Sequence, residues 1–204
     1  MNSNLDDLSK SQLELFREIA NIGAGNAATA LSKMLGQKIE MNVPAIRILE
    51  FKKIQEMIGQ PEMPVIGVYL GIRGDVSGSV LFIIEKEKSY NLAEIFMREL
   101  SSKNKVIDDM TLSAFKEIGN ILASSYLSAL SIATGLNVIP SSPGISVDMA
   151  AAILSVPAIE FGKTGDDALF IETEFYQNGK RASGYLFLIP DVNSYDKILN
   201  FSGV

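Results

Sequence analysis

The chain has no cysteine and no histidine. Without cysteine there are no disulfides, no thiolate zinc sites and no thiol nucleophile, and a reducing compartment meets no obstacle. Without histidine there is no serine–histidine triad, no HExxH metal site, no histidine general base and no histidine phospho-acceptor. Basic charge is also scarce, with 18 Lys and Arg against 24 Asp and Glu for a net charge of −6. The largest basic clusters, Lys52-Lys53 and Lys103/Lys105, are too small to draw the chain to nucleic acid. Long apolar runs are missing too. The greasiest stretch, Met149–Ile159, is 11 residues long and holds Ser155 and Pro157, whereas a bilayer span needs about 20. Met1–Lys10 is polar and acidic, unlike a signal peptide. These absences predict a soluble cytoplasmic protein with no nucleic-acid partner and no membrane insertion. Chemistry is left to carboxylates, amides, hydroxyls, lysine and arginine.

With 204 residues, 47% of them hydrophobic and 21% charged, the composition is that of an ordinary globular protein with a sizeable core. The chain is also self-similar. Shifted by 99 residues, positions 13–46 lie over 112–145 with 13 of 34 identical. The matches include Phe16/Phe115, Glu18/Glu117, Asn21/Asn120, Gly36/Gly135 and Pro44/Pro143. Two amphipathic helices of similar pattern would explain the apolar matches. They would not explain a shared polar pair, glycine and distant proline, so the chain reads as one domain of two repeats, about 9–100 and about 109–204.

Each repeat reads as αβαββα. A long helix covers about 9–35, with its copy at about 110–134. Ser9 and Gln12 form a capping box for the first, and Asp108 or Asp109 can cap the second. Leu13, Phe16, Ala20, Ala24, Ala27, Leu31 and Met34 recur every three or four residues and predict one buried stripe. Gly36 and Gly135 stop the helices. Alternation at Ile39, Met41 and Val43 predicts a strand. A shorter helix is expected near 50–58, with a copy near 148–155. Hairpins follow: 65–72 with 76–84 through Arg73–Asp75, and 168–176 with 182–189 through Asn178-Gly179, a strong turn signal. Last helices begin at Ser89 and Ser194, and Ser101–Asp108 is the linker. The expected fold is α/β of the α+β kind, with a mixed or antiparallel sheet and a pseudo-two-fold axis relating two long helices.

Three motifs invite a chemical reading. Gly23–Ala28 fits GxGxxA, but a dinucleotide site needs that run between a strand and a helix start. Here it lies deep inside a helical pattern, where small residues more simply permit close packing. Arg73-Gly74-Asp75 sits between two strand patterns and reads as a turn. The third motif is Glu18 with Asn21, copied as Glu117 with Asn120. Spacing of three puts both side chains on one helical face, away from the apolar stripe. Taken alone they would be a solvated face. Their recurrence in register, with an asparagine that is a poor helix-interior residue, points to a pair of functional sites.

The full pattern reads Glu14-x3-Glu18-x2-Asn21-x22-Pro44 and Ser113-x3-Glu117-x2-Asn120-x22-Pro143. This resembles the CheC family of chemotaxis phosphatases, relatives of CheX and FliY. One departure is Glu14, where the family has Asp or Ser. The resemblance implies hydrolysis of the aspartyl phosphate on the response regulator CheY. Glu18, Asn21, Glu117 and Asn120 would be the catalytic residues, Asn orienting a water and Glu pairing with a lysine of the regulator. It implies docking roles for Glu14 and Ser113, no cofactor of the chain's own, and magnesium supplied by the CheY substrate. It also implies a second partner, the receptor deamidase CheD. The nearly uncharged segment Asp148–Leu154, beside its charged counterpart at Glu50–Glu56, is the place offered for CheD. Asp148 is expected at the helix start and Ala151 on an apolar ridge, although the same segment also reads as a simply buried helix. Two rival functions stand beside this one: a non-catalytic interaction module like the middle domain of FliM, which lacks the Glu–Asn pairs, and a small-molecule enzyme with a pocket between the halves.

Overall fold

The computed structural model describes residues 10–97, 107–161 and 167–200. The elements run α1 (Lys10–Leu35), β1 (Glu40–Asn42), β2 (Ile46–Glu50), α2 (Phe51–Ile58), β3 (Pro64–Gly74), β4 (Gly78–Glu85), α3 (Lys86–Phe96), then α4 (Asp109–Thr134), β5 (Val138–Pro140), β6 (Gly144–Met149), α5 (Ala150–Phe161), β7 (Asp167–Gln177), β8 (Lys180–Pro190) and α6 (Val192–Asn200). The Ser9–Gln12 capping box and most of the Ser101–Asp108 linker lie outside the described residues.

Local chemistry accounts for most boundaries. Asp108 caps α4, its Oδ1 accepting from the Thr111 backbone N–H at 2.8 Å and from the Thr111 hydroxyl at 2.6 Å. Those two bonds, the side-chain one first, hold the Asp108 carboxyl below its ordinary pKa. Gly36 and Gly135 end the long helices in the left-handed region, at φ 63° and 69°, where a side chain would be strained. Asn178 and Gly179, both at positive φ, close the β7–β8 hairpin in the two-residue turn that Asn-Gly favours.

The eight strands form one sheet in the order β1-β7-β8-β4-β3-β5, with β2 also paired to β7 and β6 to β3. Every pairing is antiparallel. Exchanging β1–β4 with β5–β8 reverses the strand order, so the sheet carries a pseudo-two-fold axis between β4 and β8. Each half lends its first two strands to the other half's hairpin. Period-two alternation then divides the sheet's side chains between two cores. Ile66, Val68, Leu70, Val80, Phe82, Ile171 and Leu186 pack with α1, α3 and α4. Val65, Leu81, Ile83, Phe170 and Phe187 pack on the opposite face with α2 and α5.

Four local expectations are corrected. Met34 is 45% exposed, because the last turn of α1 turns Leu35 inward instead. Arg73 and Gly74 belong to β3 and not to the turn. The helix expected near 148–155 begins at Ala150. Strands β2 and β6, which no reading of the sequence supplied, occupy the residues just before the two short helices.

Candidate functional site

The buried side of α1 is made by Phe16, Ile19, Ala20, Gly23, Ala24, Ala27 and Leu31. At 3.6 residues per turn this leaves Glu14, Glu18 and Asn21 on the opposite side, and all three are exposed. On α4 the buried side is Phe115, Ile118, Gly119, Leu122, Ala123 and Tyr126. Ser113 and Glu117 are exposed, while Asn120 is half-buried. Each Glu and Asn therefore shares a helix face, one turn apart, as the spacing requires.

Two close approaches fix the pose of these helices. A Cβ placed on Gly23 would lie 2.6 Å from the Tyr126 ring and 3.1 Å from Tyr126 Cα, so α4 lies directly against that side of α1. Asn21 is roughly 160° around the helix from Gly23 and so points away from α4. The pseudo-two-fold axis places Asn120 on the flank of α4 away from α1. The two Glu–Asn pairs thus occupy opposite flanks of one helical layer. A Cβ on Gly119 would lie 2.6 Å from Val68 Cγ1, so α4 is seated on β3 one residue before Asn120.

Tyr126 is the large side chain at the centre of this layer. Burial pushes its phenol up to about 12, partly offset by the Thr173 hydroxyl beside it. Neither hydroxyl has a well-formed hydrogen bond. Among the described residues, no group of three or more acidic side chains converges as a cation site would need.

The GxGxxA run lies wholly within α1, and its Gly23 serves helix packing. In the Arg73–Asp75 triplet, the Asp75 carboxylate accepts from the Asn137 N–H at 2.8 Å, and the Asp75 N–H donates to the Asn137 carbonyl at 2.8 Å. Lys197 donates to the Asp75 carbonyl at 2.9 Å. The triplet ties the hairpin to the end of α4 and to α6.

Asp148 does not stand at a helix start. It is an exposed residue of β6 opposite Val65, and its Oδ1 accepts from the Met149 N–H at 2.8 Å. The first N–H groups of α5 need no side-chain cap. Ala150 donates to the Met63 carbonyl at 2.9 Å and Ala151 to that of Pro61 at 3.0 Å. Ala150, Ile153 and Leu154 are buried against the sheet, and Ala151 and Ala152 are half-buried. The helix is thus an ordinary packed element with one partly open side. Sequence reasoning missed β6 as a flank of α4. The alternation Ile145, Val147, Met149 was the available signal, and the apolar run that follows it obscured it.

The model of the CheC-like family matches residues 16–48 and 110–147, which carry both Glu–Asn pairs. The chain is 34% identical to the CheY-P phosphatase CheC of Bacillus subtilis (strain 168), with 96% of each chain covered. In fold it is similar to FliY of Thermotoga maritima, with a TM-score of 0.74 at 22% identity over 96% of this chain and 98% of that one. It is also similar to the FliM middle domain of H. pylori, with a TM-score of 0.65 at 15% identity over 95% of this chain and 99% of that one. Among the described residues, no helix is long and apolar enough to cross a membrane.

Proposed function

Because the chain belongs to the CheC-like family, we propose that it is a cytoplasmic phosphatase acting on phosphorylated CheY, built as one domain of two repeats with one site in each. The observation that carries this reading is the display of two Glu–Asn pairs on the outer flanks of two equivalent helices, in a chain 34% identical to a CheY-P phosphatase.

The substrate is an acyl phosphate on an aspartate of CheY, with the magnesium that CheY itself holds. Asn21 or Asn120 holds a water in line with phosphorus through its side-chain amide. The water oxygen bonds phosphorus as the bond to the aspartate oxygen breaks. The carboxylate leaves, and the water's protons stay with the phosphate product or pass to solvent. An amide is no base, so the rate gain comes from positioning, which suits a loose phosphoryl transition state. Glu18 and Glu117 pair with a lysine of CheY and set the docking pose. Glu14 and Ser113, one turn earlier on the same faces, extend that contact. Backbones of packed helices hold the amides, since each Asn follows closely on residues locked into the core: Ile19 and Ala20, or Ile118 and Gly119.

CheD is the proposed second partner, met at Asp148 and the open side of α5 around Ala151. That surface is on the face of the sheet opposite the Glu–Asn pairs, so the two partners need not compete.

Phosphate release from phosphorylated CheY by the purified chain tests the reading. Asn21→Ala and Asn120→Ala each silence one site, by about 10²-fold or more, and the double variant leaves only CheY's own decay. Undiminished release by the double variant overturns the mechanism. Binding of CheY with no release by the parent chain would favour the interaction module suggested by the FliM-like fold. For CheD, loss of capture by a folded Asp148→Lys variant is expected, and unchanged capture places its site elsewhere.

A further inference from the structure

We propose that Val147 and Met149 on β6 are specificity-determining residues of the Glu117/Asn120 site, forming an apolar shoulder on which phosphorylated CheY seats, and that the Glu18/Asn21 site lacks it. The inference rests on the phosphatase reading above.

The register of the sheet locates the shoulder. Gly119 lies against Val68, and Val68 is paired with Ile145 of β6. Ile145 packs onto the same core as α4, so alternation along the strand points Val147 and Met149 to that face as well. They stand opposite Ile66 and Pro64. From Gly119, α4 runs toward Gly74, whose Cβ position would meet the Asn137 carbonyl just past the helix. The earlier part of α4, with Ser113 and Glu117, therefore lies along the Pro64–Ile66 end of β3. That is the end beside which Val147 and Met149 sit. Asn120 is on the flank of α4 that faces β6. The two apolar side chains and the Glu–Asn pair thus border one surface.

Val147 is 38% and Met149 48% exposed. Among the described residues β6 pairs with no strand but β3, so no described strand covers its outer edge. The corresponding residues of the first half are Ile48 and Glu50. Ile48 is half-buried, and Glu50 accepts an ion pair from Lys53 at 3.0 Å. A docking protein buries apolar surface at the second site, which favours binding. At the first it meets a hydrated ion pair, whose removal from water costs free energy. The two sites therefore differ in affinity although they share the same reacting groups. Continuity with the Glu117/Asn120 face selects CheY as the occupant over a second copy of the chain.

The test uses single-site backgrounds, with KM and kcat measured on phosphorylated CheY. In Asn21→Ala, which leaves the second site, adding Val147→Thr and Met149→Gln is expected to raise KM roughly tenfold with kcat retained. Val147→Thr keeps the branched shape, so it also serves alone if the pair impairs folding, and Met149→Leu is expected to restore KM. In Asn120→Ala, which leaves the first site, the same substitutions are expected to leave KM unchanged. An unchanged KM in the Asn21→Ala background overturns the proposal and leaves the phosphatase reading standing. A KM rise of equal size in both backgrounds also overturns it, since the effect would then not belong to one site. If the parent chain is a dimer by light scattering and the Val147→Thr/Met149→Gln chain a monomer, a second copy covers the strand and the proposal fails. Loss of no activity in the Asn21→Ala/Asn120→Ala chain would instead remove the reading on which it rests.

Discussion

Gly119 of α4 rests on Val68 of β3 so closely that an added methyl group would lie 2.6 Å from Val68 Cγ1 and 2.7 Å from Val68 Cβ. Real Cβ contacts are wider than this, so the missing side chain is what lets α4 sit at its depth on the sheet. Asn120 is the next residue, and it is half-buried where Asn21 is exposed. The corresponding position on α1 is Ala20, fully buried. The height of each asparagine above the sheet is thus set by its neighbour.

Gly119→Ala is expected to destabilise the chain by about 1–2 kcal/mol, since overpacking outweighs the gain in helix propensity. Val68 must yield or α4 must rise. In an Asn21→Ala background, which under the proposed mechanism leaves only the second site, kcat for CheY phosphate should fall. In an Asn120→Ala background it should not. Val68→Ala added to Gly119→Ala should recover both stability and rate, and paired denaturation and rate measurements check this.

Tyr126 predicts an alkaline loss of stability. Its folded pKa is raised to about 12 from an ordinary 10.0, by burial. The unfolded chain gives up the phenolic proton as pH passes 10, while the folded chain keeps it. Stability therefore falls with rising pH between these values, by up to about 2–3 kcal/mol. Tyr126→Phe removes this slope and leaves an unbonded buried hydroxyl out of the core, so it should be neutral or stabilising at pH 7. Urea titrations at pH 7 and pH 11 compare the two chains.

Glu174 predicts an acid dependence of the opposite kind. The carboxyl is buried and bonded to the Tyr176 hydroxyl and the Arg181 guanidinium. Those partners, Tyr176 first, hold its pKa below the ordinary 4.5. The stabilisation is present above pH 4.5 and is lost as pH falls through the lowered folded value. Glu174→Gln should therefore be less stable than the parent at pH 7, and the gap should narrow below pH 4.5. A gap independent of pH would assign the effect to packing and not to charge.

Asp75→Ala leaves the Asn137 N–H without its carboxylate acceptor. The expected cost is about 1 kcal/mol, seen as a lowered midpoint in thermal unfolding. Phosphatase activity should be retained, because the bond ties the far end of α4, well beyond Asn120, to the β3–β4 hairpin.

Periodicity, caps and turn residues are local, and the sequence by itself determined what depends on them. The long helices, their stops at Gly36 and Gly135, the Asp108 cap, the Asn178-Gly179 hairpin and the outward face shared by Glu18 with Asn21 and Glu117 with Asn120 all follow from neighbours within a few residues. Only the tertiary structure decided the rest. Strands β2 and β6 are short, and their backbone bonds go to partners far along the chain, Ile46 opposite Ile171 and Ile145 opposite Val68. Alternation at Ile145, Val147 and Met149 is a local sign of a strand, but no nearby residue says which distant strand it pairs with. Asp148 moved from a helix start to a strand because the Pro61 and Met63 carbonyls, some 90 residues earlier, already satisfy the first N–H groups of α5. Asn120 is half-buried beside a Gly119 that finds Val68 across the layer. A sequence records that a glycine is small. Which atom fills the space it leaves is settled by the fold.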